Sequence, residues 1–154
     1  MSTVQIITVA GADDLERARE LFLEYEQDLP FDLSFQDFQD ELAALPGRYA
    51  PPDGALFLAH HDGHPVGCVA LRRIGEGICE MKRLFVQPAF RGQGIGRALA
   101  EAIIEKAQRI RYKRMRLDTI LEPAKSLYES LGFREIPPYE DVPVEGVMFM
   151  ELKL

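Results

Sequence analysis

Apolar residues follow a helical period in four stretches of the chain. Leu15, Ala18, Leu21, Phe22 and Tyr25 recur at three- and four-residue spacing behind an acidic first turn at Asp13 and Asp14, and Pro30 ends the run. Phe35, Phe38, Leu42 and Leu45 predict a short second helix, opened by a capping box at Ser34–Asp37 and closed by Pro46-Gly47. Leu99, Ile103, Ile104, Ala107 and Ile110 mark a long third helix. Ala124, Leu127, Tyr128 and Leu131 mark a short fourth, stopped by Gly132. Between them lie runs rich in β-formers at 4–9, 55–60, 66–71, 78–86, 115–120 and 146–154, the last alternating cleanly. Asp62-Gly63 joins the second and third runs as a tight hairpin. Consecutive hairpin strands, then a strand leading into a helix, predict an α+β domain with a mixed sheet. No repeat or long linker divides the 154 residues, which suit one domain over 1–154.

Composition narrows the function classes. Hydrophobic residues at 47% and charged residues at 28% are those of an ordinary globular protein. The N-terminal residues carry neither a basic segment nor a long apolar run, so no signal peptide, no membrane contact and a cytoplasmic location are expected. Cys68 and Cys79 sit in apolar runs and read as buried, reduced thiols. His60, His61 and His64 cluster at the hairpin tip without a metal-ligand spacing, and no metal is expected.

The net charge of −7 is unevenly spread: −10 over residues 1–81, +7 over 82–134 and −4 over 135–154. The basic block suits an anionic cofactor and the acidic half a cationic partner. Arg109, Arg111, Lys113, Arg114 and Arg116 surround Tyr112 in the manner of a nucleic-acid patch, but cations are favoured at a helix C-terminus anyway. With an isoelectric point near 5.0, no nucleic-acid partner is expected.

The stretch with the most specific chemistry is Arg91-Gly92-Gln93-Gly94-Ile95-Gly96-Arg97, between the strand ending at Val86 and the third helix. Alternate glycines at a helix start leave backbone N–H groups uncovered where the helix dipole is positive, which suits a phosphate or pyrophosphate. Arg91 and Arg97 add charged donors. The absence of Gly-Lys-Ser/Thr excludes a Walker A loop, and the Gly-x-Gly-x-Gly spacing excludes the dinucleotide fingerprint. This loop, preceded by Val86-Gln87-Pro88, resembles the Arg/Gln-x-x-Gly-x-Gly/Ala acyl-CoA loop of the GNAT-type N-acetyltransferases. Downstream, the stretch Ala124-Lys125-Ser126-Leu127-Tyr128-Glu129-Ser130-Leu131-Gly132-Phe133 resembles that family's second signature.

The resemblance covers essentially the whole chain and carries specific expectations. It implies the GNAT fold, a mixed central β-sheet flanked by helices, in which the strand at 78–86 and the strand at 115–120 splay apart to admit acyl-CoA. It implies acetyl-CoA as cofactor, with Arg91, Gly92, Gln93, Gly94, Ile95, Gly96 and Arg97 at the pyrophosphate. Leu84, Phe85 and Val86 would hold the pantetheine and polarise the thioester carbonyl. Tyr128 would protonate the leaving thiolate; as a plain sequence feature it reads equally as a core aromatic.

An amine must lose a proton before attack. Glu80 matches a position where some members carry a base, and burial would raise its pKa. An ion pair with Lys82, Arg83 or Arg116 is the alternative. Leu121 stands where many relatives carry Asn.

The expected reaction is acetyl transfer to a small amine, amino-acid-like ones included, by direct attack on the thioester; the alternative is a catalytically silent acyl-CoA-binding module. Phe31, Tyr49 and Arg83 are the acceptor-side candidates, with Asp32, Asp37 and Asp53 as ammonium partners and Arg48 as a carboxylate partner. A homodimer is the oligomer considered.

Overall fold

The computed structural model describes residues 3–31, 33–34, 37–120 and 122–154. Its strands are β1 (Val4–Thr8), β2 (Ala55–His61), β3 (His64–Gly75), β4 (Ile78–Val86), β5 (Arg114–Thr119), β6 (Arg134–Ile136) and β7 (Met148–Lys153). Its helices are α1 (Gly11–Asp28), α2 (Phe38–Ala44), α3 (Ile95–Ile110) and α4 (Glu122–Ser130). The strands form one sheet in the order β1-β2-β3-β4-β5-β7-β6. All neighbours are antiparallel except β4 and β5, which α3 joins as a parallel crossover.

The predicted periods map onto two layers. Ile95, Leu99, Ile103 and Ala107 of α3, with Tyr128 of α4, bury one side of the sheet against Val69, Met81, Met115 and Leu117. Ala18, Leu21 and Phe22 of α1, with Phe38 and Leu42 of α2, bury the other against Leu58, Cys68, Ala70 and Phe85. Cys68 and Cys79 are buried free thiols.

Three local details depart from the sequence reading. First, α2 starts at Phe38, and Asp37 before it is left-handed at φ 55° with no side-chain cap bond. The capping box therefore does not form as expected; Asp37 N–H instead donates to the Ser34 carbonyl at 3.0 Å. Phe35 lies outside the described residues. Second, β3 runs on to Gly75, because its ladder with β4 continues through Arg72–Glu80 and Arg73–Cys79 to Gly75–Ile78. Third, β6 has 3 residues, too few for a period to show. The Asp62-Gly63 turn has φ of 51° and 84°, as a type I′ hairpin requires.

Two irregularities of β4 create the site. Its pairing with β5 covers only Ile78, Cys79 and Glu80 against Arg114, Met115 and Arg116, after which the strands part. Its pairing with β3 is bulged: Lys82 faces Ala70 and Phe85 faces Cys68, so Arg83 and Leu84 stand opposite one residue, with Arg83 at φ 60°. β4 thus passes along the parting with a free edge and a kink.

Candidate active site

The parting of β4 and β5 is a notch through the sheet. Tyr25 of α1 and Leu29 just past its end reach it from one face and Ala124 and Tyr128 of α4 from the other. Met81, Lys82, Arg83 and Leu84 form one wall and Leu117, Asp118, Thr119 and Ile120 the opposite one. Phe31 and Leu33, after α1, and Val142 and Val147, before β7, also line it.

At one end of the notch stands the glycine loop. Gly94 caps α3 at φ 81° with no side-chain cap bond, and the first helical bond runs from Ala98 N–H to the Gly94 carbonyl at 3.0 Å. The N–H groups of Ile95, Gly96 and Arg97 therefore have no partner within the helix. A Cβ at Gly92 or Gly94 would meet nothing within 4 Å, so the backbone here lies open to an approaching ligand. The residues present fit a pyrophosphate. Ile95 points inward and is core.

The two arginines are partly engaged in holding the loop. Arg91 Nε donates to the Val86 carbonyl at 2.8 Å and Nη2 to Asp28 Oδ2 at 2.9 Å, with the guanidinium over the Phe85 ring. Arg97 Nη1 donates to Ser130 Oγ at 2.8 Å, tying α3 to α4.

Tyr128 lines the notch, its ring 5.6 Å from that of Phe133. Burial pushes its phenol well above the usual tyrosine range, aided by Tyr25 and Asp118 nearby. The hydroxyl is thus a proton donor throughout the neutral range.

Glu80 is fully buried, but its environment reverses the expected upward shift. Arg72 Nε donates to Oε1 at 2.8 Å and the Tyr139 hydroxyl to Oε2 at 2.6 Å. Burial pushes the carboxyl up, yet Lys82, Arg72 and the two hydrogen bonds together outweigh it, and the pKa lies below the ordinary value. The ion-pair partner is Arg72, not the Arg83, Lys82 or Arg116 considered from sequence. Arg116 pairs with Glu151 instead, at 2.8 Å.

The acceptor-side candidates divide. Phe31 lines the notch. Arg83 lines it too, but its guanidinium grips Glu41 of α2 through Nε and Nη2, both at 2.9 Å, under Phe38. Tyr49 is buried beneath α1, edge-on to Phe22, and opens onto a different hollow shared with Arg48 and Arg72. Arg48 Nη2 donates to the Arg73 carbonyl and borders a bowl with Arg72, Arg116 and Tyr139. Asp37 and Asp53 border other hollows or none, while Asp32 and Leu121 lie outside the described residues.

Sequence reasoning missed Tyr25, Lys82 and Asp118. Lys82 is 5% exposed and burial holds its pKa down, against the pull of Asp118 and Glu80. Alternation was the available signal: Lys82 shares a face with Glu80, as Asp118 does with Arg116. Among the described residues, no group of three His, Cys, Asp or Glu side chains could hold a metal ion, and no helix is long and apolar enough to cross a membrane.

Comparison with known proteins bears on the same residues. The sequence profile of the acetyltransferase (GNAT) domain matches residues 52–135. An uncharacterized N-acetyltransferase of Schizosaccharomyces pombe is 40% identical over 157 residues, covering 99% of this chain and 96% of that protein. An N-acetylaspartate synthetase of Danio rerio is 36% identical over 121 residues, covering 75% of this chain and 43% of that one. Among solved structures, the PaiA N-acetyltransferase of Thermoplasma acidophilum, in complex with coenzyme A, superposes with a TM-score of 0.73 at 18% identity, covering 99% of each chain. The profile match over more than half of the chain, the full-length relative and the splayed sheet agree: this chain belongs to the GNAT family of N-acetyltransferases, enzymes whose acyl donor is acetyl-CoA.

Proposed function

We propose that the enzyme acetylates the amino group of a small molecule, amino-acid-like amines among them, by direct attack of the amine on the thioester. The observation that carries this reading is the small size of the notch: its cavity is about 100 Å³, lined on its apolar side by Phe31, Leu33, Val142 and Val147. A compact acceptor suits that space better than an extended peptide, which needs an open groove. The Danio rerio relative bears a name that specifies an acetylated amino acid, which is in keeping with an amino-acid-like acceptor.

Each part of the site has a task in this reaction. Acetyl-CoA supplies an acyl group already activated as a thioester. The N–H groups at the start of α3 and the loop from Arg91 to Arg97 hold the pyrophosphate. The free edge of β4 at Leu84, Phe85 and Val86 receives the pantetheine and aims N–H donors at the carbonyl. Tyr128, kept protonated by burial, gives its proton to the departing sulfur. For Glu80, two occupied oxygens and a lowered pKa favour the ion pair over the base. The two buried, unpaired thiols suit a reducing cytoplasm.

The test is thiol release from acetyl-CoA against free amino acids, polyamines, simple amines and N-terminal peptides. The expected result is turnover led by one small amine. Peptide acetylation with kcat/KM above every free amine would overturn the small-molecule acceptor, and coenzyme A binding without turnover of anything would favour a silent module.

A further inference from the structure

One carboxylate in the notch keeps a buried oxygen without a hydrogen bond. Asp118 lies on β5 two residues beyond Arg116, the last residue paired with β4, and it lines the wall opposite Lys82. Its Oδ2 is buried and has no hydrogen-bond partner. Three other carboxylates of this polar seam are engaged, Glu80 by Arg72 and Tyr139, Glu41 by Arg83 and Glu151 by Arg116, and Glu140 is exposed to water. A buried acceptor atom without a donor is costly, and such atoms are rare in folded proteins. Its position explains what would relieve the cost. The reaction requires an amine in the notch, and an amine at neutral pH is an ammonium ion with three donors.

Resting on the acetyl-transfer reading above, we propose that Asp118 is the acceptor subsite: its Oδ2 binds the ammonium group of the incoming amine and takes the proton that must leave before attack. The charged and titratable groups facing it are Lys82 on β4, Tyr25 on α1, Tyr128 on α4, and Tyr139 and Glu140 on the segment after β6. Lys82 keeps Asp118 from being an isolated buried anion before the amine arrives. Tyr128 lines the same notch, so proton acceptor and proton donor share one cavity.

The protons balance. One passes from the ammonium nitrogen to Asp118 Oδ2 and on to solvent. The freed lone pair forms the C–N bond while the C–S bond breaks, and the sulfur takes the Tyr128 proton. The second proton lost by nitrogen restores the Tyr128 phenol. The products are the amide, the free thiol and one proton.

Asp118→Asn is the test, because it keeps the side-chain shape and alters an atom with no partner in the fold. The acceptor is whichever free amino acid leads the thiol-release screen. At pH 7, kcat/KM should fall by about 10²-fold or more, with coenzyme A affinity unchanged by calorimetry. The residual kcat/KM should then climb about tenfold per pH unit up to the pKa of the amine, because the variant must wait for free amine. A fall of equal size at every pH, or activity within a few-fold of wild type with the same profile, would overturn the assignment.

A second measurement needs no variant. With coenzyme A bound, the wild type should bind the lead amino acid at least tenfold more tightly than its 2-hydroxy acid counterpart, L-aspartate against L-malate or L-alanine against L-lactate. Equal binding would overturn the ammonium subsite. If the wild type turns over no amine, acetyl transfer itself fails and takes the subsite with it; if the wild type is active and Asp118→Asn equally so, only the subsite fails.

Discussion

The hydroxyl of Tyr139 donates to Glu80 Oε2 at 2.6 Å across 59 residues of sequence, pinning the segment after β6 to the strand that carries the notch. Arg116 lies over the Tyr139 ring at 5.1 Å, so the same phenol connects Glu80 to β5. Glu80 is thereby a fastener between β3, β4 and the rim of the site.

Glu80→Gln should therefore act first on stability. Removing one member of a buried ion pair costs about 3 kcal/mol, or roughly 6–12 °C in Tm for a chain of this size. The pH dependence follows from the lowered pKa. A carboxyl that titrates lower in the folded state contributes stability that is present above its unfolded pKa, near 4.3, and lost as pH falls through its folded value. Thermal melts between about pH 5 and pH 3 should show the wild type losing more Tm than Glu80→Gln. Parallel losses would mean that Glu80 is not held ionised by its neighbours.

Tyr128→Phe separates chemistry from packing. The ring and its contact with Phe133 are retained, so Tm should barely move. The acid role predicts a fall in kcat of about 10²-fold, with acetyl-CoA affinity unaltered. An unchanged kcat, once chemistry is shown to limit turnover, would return Tyr128 to the core.

Gly96→Leu should change stability and cofactor affinity in opposite directions. Gly96 is in the first turn of α3 without a left-handed φ, and an added Cβ would touch only Val86, at 3.8 Å. Leucine is the better helix former by about 0.8 kcal/mol, so Tm should hold or rise. The larger side chain covers N–H groups that await phosphate, and coenzyme A binding should weaken by tenfold or more. Undiminished binding by calorimetry would remove the loop from the cofactor site.

Arg83 and Glu41 form a buried pair whose halves should be interdependent. Arg83→Met strands Glu41 and should cost about 3 kcal/mol. Adding Glu41→Leu should restore much of that loss, since the double change removes both charges. Urea unfolding of the four proteins gives the coupling directly. Additive losses would show that the pair contributes through shape alone.

The features legible in sequence were those whose cause is local. The loop at Arg91–Arg97 announces itself because a helix start that must stay bare needs glycine, and the hairpin at Asp62-Gly63 because positive φ does. The long helices showed through their periods. What was hidden depends on partners far along the chain. Glu80 looked like a carboxylate that burial would neutralise, because Arg72 meets it only through the β3–β4 register and Tyr139 lies 59 residues away. Arg83 resembled a free cation until Glu41, 42 residues away, was seen to hold it. Asp118 alternates with Met115 and Leu117 as any outward polar strand residue would, and only the parting of the strands gives it an interior place. The start of α2 was misplaced because a capping box and a left-handed turn use the same residue types.

The short seam between β4 and β5 divides the sheet mechanically. Strands β1 to β4 form one slab, β5, β7 and β6 another, and among the described residues their strand pairing runs only from Ile78 to Glu80. Whatever fills the notch is then a wedge touching both slabs at once, able to set the angle between them. Amide hydrogen exchange should register this: cofactor binding should slow exchange along the second half of β4 and along β5 together, while the β1–β2 pair at the far edge of the sheet keeps its own pace.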